Sequence, residues 1–290
     1  MDFSILIPVY NSHIECLCDE LCKQAAKYSD NFQILFVDDC SELSISYINQ
    51  KVSSYTNVDY QILSQNIGRS AIRNLLFEKA QYENCIIMDG DVRIIRDDFI
   101  STYLNALKEN VILVGGHSYQ KGVPMDQLKL LHWMYGVKVE SKNYKERQAF
   151  PYRSFMTSNF ACSKQTFQQL KFDETIRGYG HEDTLFGIQA KQKGIPIHHL
   201  DNPIQHDGLE NTSKFIDKQK NAIINLKRLY NTSPNKNELH QQIKLIRLGE
   251  LKLPWFLLRI IRPLLLKNLK GESPKILSLQ LLKILWWRYG

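Results

Sequence analysis

The residues best suited to chemistry are two acidic pairs. Asp89 and Asp91 flank Gly90, and Glu182 stands beside Asp183. Two carboxylates one residue apart in an extended segment or turn can both reach one divalent cation, and the intervening glycine lets a ligand approach the backbone. Hard oxygen ligands favour Mg²⁺ or Mn²⁺, which usually share their coordination with substrate phosphates. The first pair therefore predicts a metal and phosphate site.

The second pair has two possible roles. Residues 178–183, with the sequence GYGHED, precede a predicted helix that ends near residue 193. Glu182 and Asp183 would lie in its first turn, where the helix dipole stabilises acidic side chains. In the catalytic interpretation, Asp183 takes a proton from an incoming hydroxyl group that Glu182 orients. The residues alone leave both interpretations open.

Short apolar runs alternate with longer helical patterns in the first half of the chain. The predicted strands are 3–9, 33–37, 58–63 and 85–88, and the predicted helices are 14–28, 43–52 and 69–79. Continuous apolar strands separated by helices imply a parallel sheet covered on both faces. The predicted fold class is therefore α/β, with a mostly parallel twisted sheet flanked by helices.

Polar residues recur where these strands end. They are Pro8, Tyr10 and Asn11 after strand one, Asp39 after strand two, Asn66, Gly68 and Arg69 after strand three, and Asp89, Gly90 and Asp91 after strand four. Each alone could cap a helix or form a turn. Ligands bind beyond the carboxyl ends of the strands in such sheets, so the recurrence predicts one shared binding site.

A histidine could complete the metal site. His206 follows a further predicted strand at 195–200, and an imidazole ligand favours Mn²⁺ over Mg²⁺. His198 and His199 are rival candidates. Adjacent strand residues point to opposite faces, so at most one of these two could face the site.

Five motifs together resemble the family-2 glycosyltransferases of the GT-A fold. They are SILIPVYN (4–11), FVDDCS (36–41), NIGRSAIRN (66–74), MDGDV (88–92) and GYGHED (178–183). The last resembles the G-W-G-x-E-D motif of β-galactosyl-, N-acetylgalactosaminyl- and chondroitin-type transferases, with Tyr179 in place of the tryptophan. The resemblance covers residues 3–208.

The resemblance implies a role for each matched residue. The residues implied to bind the UDP-sugar are Pro8, Tyr10, Asn11, Asp39, Asn66, Gly68, Arg69, Asp89, Gly90 and Asp91. The implied metal ligands are Asp91, His206 and Asp89. The residues implied to contact the acceptor or the sugar are Tyr179, Gly180, His181 and Glu182. Asp183 would be the catalytic base, assisted by Glu182.

The implied activity is inverting transfer of a hexose or N-acetylhexosamine from a UDP-sugar, with Mn²⁺ or Mg²⁺ on the diphosphate. The acceptor would be a glycan or a lipid-linked oligosaccharide, in cell-surface polysaccharide or oligosaccharide assembly. The alternative is a catalytically silent UDP-sugar-binding adaptor. A pyrophosphorylase or a dinucleotide oxidoreductase is disfavoured, since no glycine-rich phosphate loop follows the first strand.

The predicted organisation is a catalytic domain at 1–210 and a helical extension at 211–290. Within the first, 1–110 would bind the nucleotide and 111–210 would hold the acceptor and the catalytic residues. The net charge of +7 is concentrated near the C-terminus. Residues 243–290 contain ten Lys and Arg against Glu250 and Glu272, which is +8 and leaves −1 for the remainder. Such local charge favours an anionic partner and disfavours nucleic acid.

The basic tail also carries large apolar residues. Residues 251–266 and 276–287 combine apolar and cationic side chains with Trp255, Trp286 and Trp287, a combination that suits helices lying in a membrane interface beside anionic lipid. Pro263 is predicted to kink or end the first helix. The alternative is a helical pair packed on the protein or on a partner.

Six cysteines without a disulfide-like spacing predict reduced thiols and a cytoplasmic protein. The first apolar run predicts a strand and not a signal peptide, and no apolar stretch approaches the ~20 residues that span a bilayer. We therefore expect a peripheral protein on the inner face of the cell membrane, attached through residues 251–290.

Overall fold

The computed structural model describes residues 1–176, 178–251 and 256–290, except for the side chains of Leu257 and Leu258. Residues 252–255 of the predicted membrane segment, including Trp255, lie outside the described residues. The strands are β1 Phe3–Val9, β2 Phe32–Asp38, β3 Val58–Ile62, β4 Asn84–Met88, β5 Val92–Ile94, β6 Ile112–Val114, β7 His117–Ser118, β8 Asn159–Ser163, β9 Ile197–His199 and β10 Ile204–His206.

The helices continue the alternation through the first half and then dominate the chain. They are α1 Glu15–Ala25, α2 Leu43–Asn49, α3 Arg69–Lys79, α4 Phe99–Ala106, α5 Leu130–Tyr135, α6 Tyr144–Gln148, α7 Lys164–Gln168, α8 Glu182–Gln192, α9 Thr212–Thr232, α10 Lys236–Gln242, α11 Lys244–Glu250, α12 Phe256–Leu269 and α13 Ile276–Tyr289. The predicted strands and helices of the first ninety residues match these bounds to within a few residues.

The main sheet has seven strands in the order β3-β2-β1-β4-β8-β6-β9. The first four run parallel, β8 runs antiparallel to both of its neighbours, and β9 is parallel to β6. The predicted mostly parallel sheet is therefore confirmed. The side chains of Phe3, Ile5 and Ile7 pack into one core and that of Leu6 into a second. Both faces of β1 are thus buried, which accounts for its unbroken apolar sequence.

A second sheet of three strands has the order β5-β10-β7. β10 runs antiparallel to β5, and His206 is the register partner of Val92. Val92 is the first residue of β5 and directly follows Asp91. The small sheet therefore brings the end of β10 beside the Asp-Gly-Asp motif.

The chain divides into two compact units. Unit 1 comprises Met1–Gln120, Ser141–Arg177 and Glu182–Gly208, and unit 2 comprises Lys121–Glu140, Gly178–His181 and Leu209–Gly290. Residues 121–140 were predicted to belong to the catalytic half, but they fold with unit 2. There the His132 ring stacks on Phe215 at 4.4 Å, and the Glu210 amide donates to His132 Nδ1 at 2.9 Å.

Helix α13 is an internal element of unit 2. The side chains of Lys283, Trp286 and Trp287 are buried. Lys283 Nζ donates to the hydroxyl of Tyr135 at 2.9 Å, and burial lowers the pKa of this lysine to about 8. The expectation that the two tryptophans and Lys283 face a membrane is therefore wrong for this helix, because they pack within unit 2.

Helix α12 runs through Pro263, so of the two predicted effects of this proline, a kink or an end, the helix end does not occur. Pro263 is exposed, so water can satisfy the carbonyl group of Arg259 that loses its helical donor. Within the described part of the chain, no helix is long and apolar enough to cross a membrane.

Candidate active site

Asp39 fixes the loop that precedes α3. Its buried carboxylate accepts hydrogen bonds from the amides of Ile67 at 2.7 Å and Gly68 at 3.0 Å. Burial raises the pKa of Asp39, and these two amides oppose that rise. Gly68 has a φ of +87°, a conformation that glycine adopts without steric cost. The next residue, Arg69, begins α3, so Asp39 fixes the backbone position from which the Arg69 side chain extends.

The ends of β1 and β2 are joined by Asn11. This residue has a φ of +51°, its amide donates to Ser41 Oγ at 2.8 Å, and its Oδ1 accepts from the Glu42 amide at 2.8 Å. The side chain of Tyr10 next to it is 58% exposed. Asn11 therefore has a structural task here, while Tyr10 is accessible to a ligand.

Gly90 lies against the end of β1. A Cβ atom at this position would lie 3.1 Å from the Pro8 carbonyl oxygen and 3.2 Å from Ser12 Oγ. This close approach accounts for the glycine between the two aspartates, because a larger residue would push the two strand ends apart.

Asp89 is held by two arginines. Arg73 donates to Asp89 Oδ1 at 2.5 Å, and the Arg69 guanidinium lies 3.7 Å from Oδ2. Burial alone would raise the pKa of Asp89, but the two guanidinium groups outweigh it and hold the pKa below its usual value. Asp89 is thus ionised and paired with the arginines, and His206 also helps to lower its pKa.

Arg69 links the two acidic pairs, Asp89 with Asp91 and Glu182 with Asp183, through contacts with one member of each. Its Nε atom lies 3.2 Å from Glu182 Oε1, while its other end faces Asp89. The side chain of Glu182 is only 7% exposed, and its Oε2 has no hydrogen-bond partner in the part of the chain that is described. A buried acceptor without a donor costs free energy, so Oε2 is available to a hydroxyl group of a ligand.

Asp183 follows Glu182 in the first turn of α8. Its Oδ1 accepts from the amide of Thr184 at 2.7 Å. Burial and the neighbouring charge of Glu182 raise the pKa of Asp183 to about 6, against the opposing effects of Thr184 and Arg69. A carboxylate that binds a proton near neutral pH is suited to general base catalysis.

Asp91 and His206 meet where the small sheet begins. His206 Nδ1 lies 3.7 Å from Asp91 Oδ1, and the Asp207 amide donates to the Asp91 carbonyl at 3.1 Å. The side chain of Asp91 is 40% exposed and that of His206 is 20% exposed. A Cβ atom at Gly208 would collide with the Asp91 carboxylate. Gly208 therefore leaves room for this pair.

The rival histidines lie elsewhere. His199 is buried, its Nδ1 accepts from Arg147 Nε at 3.1 Å, and burial lowers its pKa to about 4. His198 points to the opposite face and is exposed. Tyr119 meets the His206 ring edge-on at 5.5 Å, so aromatic packing orients the histidine that the sequence favoured.

The segment Gly178–His181 belongs to unit 2, where α9 holds it. Asn225 Nδ2 donates to the Tyr179 carbonyl at 3.0 Å, and Lys218 Nζ lies 4.9 Å from the centre of the Tyr179 ring. Gly180 has a φ of +99° and abuts Ala222. His181 has a φ of +75°. The roles of Tyr179, Gly180 and His181 toward a sugar stay predictions.

Three residues that the sequence analysis did not single out support the site. Arg73 neutralises Asp89, Gly208 makes room beside Asp91, and Tyr119 packs on His206. Arg73 could have been found, because it follows Arg69 by four residues on a predicted helix and so shares its face. Nothing in the sequence pairs Tyr119 with a residue 87 positions away.

Comparison with known proteins identifies the family. Residues 4–170, more than half of the chain, match the family described as Glycosyl transferase family 2. The chain therefore belongs to glycosyl transferase family 2.

Two curated relatives match over shorter segments. An uncharacterized glycosyltransferase of Haemophilus influenzae is 30% identical over 118 residues, which are 40% of this chain and 46% of the relative. The poly(ribitol-phosphate) beta-N-acetylglucosaminyltransferase TarS of Staphylococcus aureus is 27% identical over 135 residues, which are 44% and 23% of the two chains. The matches thus span less than half the length of each relative.

Solved structures show the same fold. TarS 1-349 of S. aureus in complex with UDP is similar with a TM-score of 0.51 at 18% identity, covering 99% of this chain and 89% of that chain. The mannosyltransferase PcManGT of Pyrobaculum calidifontis in complex with GDP-Man and Mn²⁺ has a TM-score of 0.57 at 13% identity, covering 99% and 86%. The predicted GT-A fold is thereby confirmed.

Proposed function

We propose that the protein is a metal-dependent inverting glycosyltransferase that moves a hexose or N-acetylhexosamine from a UDP-sugar to a glycan hydroxyl group. The observation that carries the proposal is the linked set of Asp183, Glu182, Arg69 and Asp89 in unit 1. It combines a base with a pKa of about 6, a buried acceptor atom without a donor and an arginine that connects them to the end of β4. This arrangement suits activation of a hydroxyl group.

In the proposed reaction, Asp183 removes the proton of the acceptor hydroxyl group while the oxygen of that hydroxyl group forms a bond to the anomeric carbon of the donor sugar. The bond from that carbon to the phosphate oxygen breaks, and its electron pair leaves with UDP. Glu182 Oε2 would accept a hydrogen bond from the sugar and so orient it. A single displacement from the opposite face inverts the anomeric centre, so an α-linked donor gives a β-glycoside.

Asp91 and His206 fit a Mn²⁺ or Mg²⁺ ion. They offer one carboxylate and one imidazole on a partly exposed surface, and the described residues contain no group of three or more acidic, His or Cys side chains that could hold a metal without help. A substrate diphosphate would complete such a shell, as is common for these ions. When bound, the cation neutralises negative charge on the departing diphosphate. We assign Asp91 and His206 as the metal ligands, and we assign Asp89 the role of pairing with Arg69 and Arg73.

Relatives support the substrate class. TarS is named as a beta-N-acetylglucosaminyltransferase and has been solved with UDP and with UDP-GlcNAc, and PcManGT has been solved with Mn²⁺. We also propose a cytoplasmic location. The six free cysteines support it, because thiols are kept reduced in that compartment.

The donor is tested by incubating the protein with UDP-Gal, UDP-GalNAc, UDP-Glc, UDP-GlcNAc and UDP-GlcA in turn, with Mn²⁺ and a mixture of glycan acceptors. We expect UDP release from one or two donors, and loss of this release when a chelator removes the metal. UDP binding without release from any donor would instead identify a catalytically silent adaptor. Release that persists in chelator would contradict the metal assignment.

Gly208→Ala tests the pair at the small sheet. The new methyl group would meet the Asp91 carboxylate and displace it from His206, so we expect Mn²⁺-dependent UDP binding to weaken about 10–100-fold, the range typical of a disturbed metal environment. Calorimetric titration of UDP with and without Mn²⁺ measures this. Gly122→Ala is the matched control, because its Cβ would meet open space. Equal affinities for the two variants would contradict the assignment.

A further inference from the structure

Helix α12 exposes an apolar row. Phe256, Ile260 and Leu264 are 59%, 71% and 66% exposed, and their spacing of four residues places them in one row along the helix. The row spans ~12 Å at 1.5 Å per residue. Leu265 and Leu269 on the opposite side are buried in unit 2. The helix is therefore anchored by one face while the other presents three large apolar side chains to the surroundings.

Cations border this row. Arg259 and Arg262 are exposed on the same helix, and Lys267 and Lys270 follow near its end. The guanidinium group of Arg259 lies 5.2 Å from the centre of the Tyr289 ring, and Tyr289 is itself 46% exposed. An apolar row bordered by Arg, Lys and an exposed tyrosine is typical of a helix that lies in a membrane interface.

A cleft beside α12 is lined by some of these cations. Lys220, Arg262 and Lys270 line it together with Trp286, Ile216, Leu266, Ser213 and Asp217. Three cations and one carboxylate give a local charge of +2. The cleft thus joins cationic groups to apolar walls, which suits a phosphate group attached to an acyl chain.

We propose that α12 is a membrane-docking helix that binds an anionic phospholipid surface. Phe256, Ile260 and Leu264 enter the boundary between headgroups and acyl chains, and the cleft at Arg262 and Lys270 receives a lipid phosphate. The charge supports a lipid surface over a second copy of this chain, because two copies would bring like-charged tails together. The tryptophans of α13 take no part, since they are buried.

The test is co-sedimentation of the full chain with vesicles of phosphatidylcholine mixed with phosphatidylglycerol, compared with pure phosphatidylcholine. We expect binding to the anionic vesicles that weakens as salt rises. Ile260→Asn and Leu264→Asn should each weaken vesicle binding about tenfold, since each removes most of the favourable free energy of transferring a large apolar side chain out of water. Arg262→Gln and Lys270→Gln should each weaken it about fivefold, the effect of one cation at an anionic surface.

Leu43→Asn and Lys51→Gln are the matched controls. They replace an exposed leucine and an exposed lysine in unit 1, and we expect both to bind vesicles as the unaltered chain does. Because Ile260, Arg262 and Leu264 of α12 and Lys270 just after it are all exposed, denaturant midpoints should stay unchanged. The proposal is overturned if the full chain does not bind anionic vesicles, or if the four variants at Ile260, Arg262, Leu264 and Lys270 bind these vesicles as tightly as the controls do. Self-association that Ile260→Asn abolishes, without vesicle binding, would assign the row to a second copy.

Discussion

Asp183→Asn is expected to lower kcat by about 10²–10⁴-fold, the usual contribution of a positioned general base, while the affinity for UDP changes little. Asparagine keeps the size of the side chain and an oxygen that can accept from the Thr184 amide, but it cannot take a proton. The loss should therefore appear in kcat and not in donor binding. Initial rates of UDP release and a calorimetric titration with UDP measure the two quantities separately.

The pH profile of the unaltered chain gives a second readout of the same assignment. The pKa of Asp183 is raised to about 6 by burial and by Glu182. Only the ionised form accepts the acceptor proton, so the rate should fall about tenfold for each pH unit below 6. It should level off above pH 7.

The same raised pKa predicts the stability of the variant. Because the carboxyl of the folded chain releases its proton at a higher pH than the usual value of 3.8, its ionisation opposes folding, and this penalty is complete above pH 6. Asp183→Asn removes the penalty, so at pH 8 it should need at least as much denaturant to unfold. Asp98→Asn, at a surface pair with Arg96, should keep its rate. A normal kcat in Asp183→Asn would contradict the assignment of Asp183 as the general base.

The fold was largely predictable because local sequence determines it. Strands such as Phe3–Val9 are apolar throughout since both of their faces are covered, and α3 begins after Gly68 as the pattern predicts. Residues 121–140 fold with unit 2 for a reason that sequence does not display. Their attachment depends on contacts such as His132 with Phe215, which join residues 83 positions apart.

The site was predictable in its residue types but not in its connections. Asp39 and Asp89 follow β2 and β4, which both run parallel to β1, but the sequence could not show that Asp39 accepts from the loop before Arg69. It also could not show that Arg69 contacts both Asp89 and Glu182. Such connections depend on how a loop and the first turns of two helices meet in three dimensions, and no periodic pattern in the sequence encodes that meeting.

Arg73→Met is expected to lower the free energy of unfolding by about 2–4 kcal/mol at pH 7, because removing one partner leaves the other charge buried without compensation. Arg73 is 2% exposed and the side chain of Asp89 is 19% exposed. Methionine has a similar length, so the change removes the charge more than the volume. Denaturant unfolding measures the loss, and Arg73→Met with Asp89→Asn should recover much of it, since the unpaired carboxylate is then absent.

The dependence on pH separates lost charge from lost packing. Arg73 and Arg69 hold the pKa of Asp89 below the usual 3.8, so the pairing stabilises the fold above pH ~4 and ceases to do so as pH falls through the lowered pKa. The stability difference between the unaltered chain and Arg73→Met should therefore shrink in acid. Arg96→Met, at a surface pair, should cost less than about 1 kcal/mol at any pH. If the Arg73→Met difference stayed constant from pH 7 to acid, packing and not the ion pair would hold Asp89 in place, and the Arg69 bridge to Glu182 would then have to be positioned by the loop that Asp39 anchors.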